Sequence, residues 1–102
     1  MEKDNYEIRY LPSFVKQFES KLNYMAHTLK NRDAADKFYK NVIEQIEKRS
    51  QKSDGYEKYI SRGNVTYYRI YVKNYTIFYI VKNNVMEVRR ILYSKRDLKK
   101  II

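Results

Sequence analysis

The chain has 102 residues, a net charge of +10, no cysteine and one histidine, His27. That length suits a single domain, residues 1–102, large enough to bury about two-thirds of its unfolded surface without a staple. The composition excludes disulfides, thiolate metal sites, cysteine nucleophiles, a histidine zinc cluster and a Ser–His–Asp relay, so no metal and no cofactor is expected.

Residues 6–10 alternate and read as a short first strand. Pro12 then suits the first turn of a helix. Phe14, Phe18, Leu22, Met25 and Leu29 follow at helical spacing and form one apolar stripe. Asn31, Arg32 and Asp33 form a turn and a helix cap, with Asp33 placed against the N-terminal dipole. A second stripe runs through Ala35, Phe38, Val42 and Ile46. So short a connection makes the two helices an antiparallel hairpin. Residues 48–64 are poor in apolar side chains and hold both glycines, Gly55 and Gly63. They read as an exposed basic loop, with a short strand around residues 56–60.

Three strands are expected next, at residues 66–72, 75–81 and 85–93, rich in tyrosine and β-branched side chains. The tight turns at Lys73-Asn74 and Lys82-Asn83-Asn84 force an antiparallel meander. Ser94, Lys95, Arg96 and Asp97 match a capping box, which predicts a short last helix carrying Leu98, Ile101 and Ile102. The fold class is α+β: an N-terminal helical hairpin packed on a mainly antiparallel sheet, with a short C-terminal helix. The longest apolar runs are four to six residues, too short to span a membrane. The charged start Met1, Glu2, Lys3, Asp4 lacks the apolar core of a signal peptide, and a cytoplasmic location is expected.

Charge is unevenly distributed. Residues 1–50 hold ten Lys/Arg against eight Asp/Glu, whereas residues 51–102 hold twelve against four, together with eight of the twelve tyrosines. Cations interleaved with aromatic rings favour a polyanion, a ribosome or an acidic protein as partner. In the strand expected at residues 85–93, side-chain alternation predicts that Arg89 and Arg90 point to opposite faces. Arg69, amid Tyr67 and Tyr71, reads either as a phosphate contact or as a cross-strand partner of Glu87. Glu44 is placed to pair with Lys48 one helical turn on. His27 reads as a surface residue.

Residues 75–81 (YTIFYIV), a polar turn, and residues 88–97 (VRRILYSKRD) resemble the RelE/ParE toxin superfamily. Its members carry a Tyr-Arg-apolar-apolar-Tyr segment and then an apolar strand that ends in a basic segment. Tyr68, Arg69 and Ile70 fit the preceding strand, and the order of elements agrees. The resemblance implies the toxin of a type II toxin–antitoxin pair, held inactive by a cognate acidic antitoxin, as a homodimer or a heterotetramer with it. ParE-like members poison DNA gyrase; RelE-like members enter the ribosome and cut mRNA without a metal.

The superfamily's RNA-cleaving pattern matches only in part. Arg69 stands where that pattern has a strand lysine and Arg96 matches its basic residue after the last strand. Tyr71 stands at a second lysine position, Thr76 at the arginine of the tyrosine segment, and Ile102 at the C-terminal tyrosine. A ParE-like gyrase inhibitor is therefore the preferred reading. A RelE-like ribosome-dependent endonuclease would use Arg69, Tyr93 and Arg96 as catalysts. A decayed toxin that retains only antitoxin binding is the third reading. Residues assigned to target or nucleic-acid binding are Arg69, Tyr71, Arg89, Arg90, Lys95, Arg96, Lys99 and Lys100.

Overall fold

The computed structural model describes residues 5–51 and 58–95. Strand β1 (Glu7–Tyr10) leads through Leu11 into helix α1 (Pro12–Asn23), which continues as a π-helical turn over Tyr24–Thr28. Helix α2 (Arg32–Arg49) and strands β2 (Lys58–Arg62), β3 (Val65–Val72), β4 (Tyr75–Lys82) and β5 (Val85–Tyr93) follow. The five strands form one sheet in the order β1-β5-β4-β3-β2. Only the β1–β5 pair is parallel; β5, β4, β3 and β2 run as an antiparallel meander.

Local chemistry accounts for the helix boundaries. Pro12 occupies the first turn of α1, where its missing N–H costs nothing. The Asn31 side chain accepts a 3.0 Å hydrogen bond from the Ala34 backbone N–H, and Asp33 lies in the first turn of α2. Lys30 ends the first helical segment at a φ of 52°. The i→i+5 bonds of the π turn widen the helix and shift its register. Met25 still packs against the core, but Leu29, expected on the apolar stripe, is 56% exposed.

The core lies between the helical hairpin and one sheet face. Phe14, Phe18, Phe38, Val42 and Ile46 meet Ile70, Val72, Ile77, Tyr79, Met86, Val88 and Ile91. Burying a side chain of this size contributes about 1.5–3 kcal/mol. An aromatic string crosses the layer: Tyr10 to Phe14 at 5.5 Å, Phe14 to Phe18 at 5.4 Å, Phe18 to Phe38 at 5.9 Å, and Phe38 to Tyr75 at 5.1 Å.

Two expectations for the middle of the chain need correction. The region read as a basic loop is shorter than residues 48–64, because α2 runs on through Arg49 and β2 begins at Lys58. Strand β2 bonds to β3 across the turn at Gly63, whose φ of 60° suits glycine. Glu44 and Lys48 form no ion pair; the exposed helical pair is Asp33–Lys37 at 3.1 Å. Asn83 and Asn84, with φ of 51° and 65°, make the tight turn between β4 and β5. The expected C-terminal helix lies outside the described residues. Ser94, assigned to its cap, shares a 2.7 Å hydrogen bond with the buried Thr76 hydroxyl, and its N–H donates to the Asn74 carbonyl.

Candidate target-binding face

The sheet face away from the helices carries the arginines, and an irregularity in β5 puts them there. Phe78 pairs with Arg90, but Tyr79 pairs with Val88, so Arg89 is an extra residue in β5. Such a bulge breaks side-chain alternation. Val88 and Ile91 consequently both face the helical core, although they are three positions apart. Arg89 and Arg90, expected on opposite faces, both belong to the open one. Arg89 reaches Glu87 and Tyr67 there, and Arg90 stands opposite Phe78, whose other neighbour is Arg69.

Helix α1 secures the bulge. Strand β1 covers the outer edge of β5 only as far as Val88, whose carbonyl accepts from the Leu11 N–H at 3.0 Å. Beyond that point the Ser13 hydroxyl donates to the Arg89 carbonyl at 2.8 Å, and the Ile91 N–H donates to Gln17 Oε1 at 3.0 Å. Two side chains of α1 thus satisfy backbone groups that the strand edge would otherwise leave unpaired.

The arginines on this face are held in different ways. Arg69 lies 4.3 Å from the ring centroid of Tyr59 and 5.2 Å from that of Tyr71, flanked by aromatic rings. It does not pair with Glu87, which stands two strands away on β5, opposite Ile80 of β4. Glu87 Oε2 accepts from Arg89 Nε and Nη2, each at 3.3 Å, and Arg89 Nη1 donates to the Tyr67 hydroxyl at 2.8 Å. Arg89 is therefore a fixed, half-neutralised cation. Among the described residues, Arg69 and Arg90 have no carboxylate partner. Tyr71 is 57% exposed and presents its ring beside them.

The residues assigned from sequence separate into groups. Arg69, Tyr71, Arg89 and Arg90 share the open face. Lys95 is exposed in the turn after β5. Tyr93 pairs with Tyr75, with rings 5.9 Å apart, and lies on the helical side of the sheet. Arg69 and Tyr93 are therefore on opposite faces, and the trio Arg69, Tyr93 and Arg96 is not assembled around one point by the described residues. Arg96, Lys99 and Lys100 lie outside the described residues. His27 is exposed, as expected. Sequence reasoning overlooked Tyr59, which stacks on Arg69 and on Phe78, with rings 5.6 Å apart in the latter pair. Its signal was weak because it lies in the region read as loop. Among the described residues no helix is long and apolar enough to cross a membrane.

Known proteins agree with this architecture. A chain described as the chromosomal ParDE toxin–antitoxin system from P. aeruginosa superposes with a TM-score of 0.73 at 13% identity, covering 91% of this chain and 100% of that one. No curated protein sequence matches. The family model for the ParE toxin of the type II toxin–antitoxin system parDE matches residues 8–98, and the chain belongs to that family.

Proposed function

We propose that this toxin arrests growth by inhibiting DNA gyrase in the cytoplasm, that its open sheet face meets the target, and that an acidic antitoxin neutralises it. The observation that carries this reading is the bulge in β5, which gathers Arg89 and Arg90 beside Arg69 and Tyr71 on one face. Cleavage of RNA without a metal needs a base and an acid at the same phosphate. Arg69 and Tyr93 stand on opposite faces, and Glu87, the carboxylate that reaches an arginine of this face among the described residues, is tied to Arg89. A protein-binding role asks only for a shaped, charged surface, and the face supplies one.

The test combines a supercoiling assay on purified gyrase with induction of the toxin alone in bacteria, following pulse labels of DNA and protein synthesis. Loss of supercoiling and falling DNA synthesis while translation continues is the expected result. Prompt translation arrest with cut mRNA would overturn it in favour of a ribosome-dependent nuclease. Normal growth would identify a toxin that has kept only antitoxin binding. The paired substitution Arg69→Glu with Arg90→Glu should abolish growth arrest while the far-ultraviolet dichroism of the folded chain is retained.

A further inference from the structure

Toward the Lys82–Val85 turn, the open face folds into a cleft of about 480 Å3 lined by β1, β4, β5 and Val65 at the start of β3. Arg9, Lys82 and Arg89 line it, with Asn83 at its end and Ile80 at its floor. Among the described residues Glu87 is the one carboxylate on its wall, and it is already bonded to Arg89. Register explains the gathering: Arg9 stands opposite Glu87 across the β1–β5 pair, and Ile80 stands opposite Glu87 across β4–β5. Arg9 and Lys82 are exposed and have no ion pair among the described residues. Three cations thus face one carboxylate in a concave site, a surplus of positive charge that favours an anion.

The surroundings point to the kind of anion. Arg89 links the cleft directly to Tyr67, whose ring centroid lies 5.6 Å from its guanidinium. Two residues further along β3 is Arg69, with the exposed ring of Tyr71 beyond it. Side chains two apart on one strand face are spaced by about 6–7 Å, close to the interval between successive phosphates of an extended nucleic-acid strand. Alternating cations and ring faces suit a strand whose phosphates need charge and whose bases need a stacking surface. An acidic peptide would use the cations and leave the rings idle.

We propose that the Arg9–Lys82–Arg89 cleft seats a backbone phosphate of single-stranded nucleic acid that runs along the open face past Tyr67 toward Tyr71. This contact goes beyond the gyrase reading and does not depend on it.

The test measures anisotropy of a short fluorescein-labelled oligothymidylate with the purified full-length chain across a salt series. Binding should weaken with salt, and Arg9→Ala with Lys82→Ala should reduce affinity about tenfold at low salt and flatten the log–log salt slope by about two. Arg9→Lys with Lys82→Arg should restore both. Lys16→Ala with Lys40→Ala, exposed cations on the helices, should leave both unchanged. Absence of binding, an unchanged affinity in the Arg9/Lys82 alanine pair, or an equal loss in the Lys16/Lys40 pair would overturn the proposal. Displacement by polyglutamate as effective as by unlabelled oligothymidylate would also overturn it, and would reassign the cleft to an acidic protein segment.

Discussion

The two faces of the sheet obey different rules. On the helical face, residues alternate with apolar stripes and end fully buried: Ile77, Met86, Val88 and Ile91 are each 0% exposed. On the open face Thr76 and Phe78 are equally buried, but charge and aromatic rings are mixed around them: Arg69 rests between two tyrosines, and one ion pair, Glu87–Arg89, is only partly buried. The contrast separates what holds this molecule together from what it offers to a partner. Substitutions on the helical face should cost stability first and activity only as a consequence. Substitutions of the arginines and the exposed Tyr71 on the open face should do the reverse.

The sharpest way to break this division is to truncate the centre of the helical layer. Phe38, 1% exposed and touching both Phe18 and Tyr75, should lose about 3–5 kcal/mol on conversion to alanine, read as a lower denaturation midpoint. A smaller effect is expected where the layers are joined. Gln17→Leu strands the Ile91 N–H and should cost about 1–3 kcal/mol by the same measurement. A stability change within error would mean that Gln17 does not help to hold the bulge.

Arg69→Ala sharpens the comparison from the other side. Loss of its contacts with Tyr59 and Tyr71 should cost about 0.5–1 kcal/mol of stability, while growth arrest should weaken by at least about tenfold. Equal stability loss in Arg69→Ala and Phe38→Ala would erase the distinction between the faces.

The smallest effect concerns Tyr10. Burial raises its phenol above the usual tyrosine value, with the Glu47 carboxylate and Tyr39 adding to the shift. The folded chain therefore holds this proton longer than the unfolded one. The associated stability is complete below the ordinary tyrosine range and is lost as pH rises through the folded value. A chemical-denaturation series above neutral pH should show this alkaline decline, and Tyr10→Phe should flatten it.

Much of the architecture was legible because periodicity is a local signal. Phe14 and Phe18, then Phe38, Val42 and Ile46, lie in the core as their spacing requires. Leu29 departed from its stripe because the π turn changes the helical register, a backbone choice that side-chain spacing does not encode. The opposite-face expectation for Arg89 and Arg90 failed for a related reason. Alternation assumes an unbroken ladder, and the polar pair between Val88 and Ile91 is the mark of a bulge, recognisable once the partner strand is known. The cleft was least legible of all. Arg9 and Lys82 come from distant strands, and only the parallel β1–β5 pairing brings the first into the same concavity as the second.

The side-chain clasp of α1 on β5 also bears on how the protein is made. Ser13 and Arg89 are 76 positions apart, and Gln17 and Ile91 are 74 apart. Synthesis delivers the helical hairpin long before the strand it must grip, and contacts of such long range are slow to form. A nascent chain can therefore hold a helical hairpin while the arginine-bearing bulge does not yet exist. The surface we assign to the target is completed only once β5 has emerged. A ribosome making this toxin is thereby screened from a finished basic face until β5 has been made.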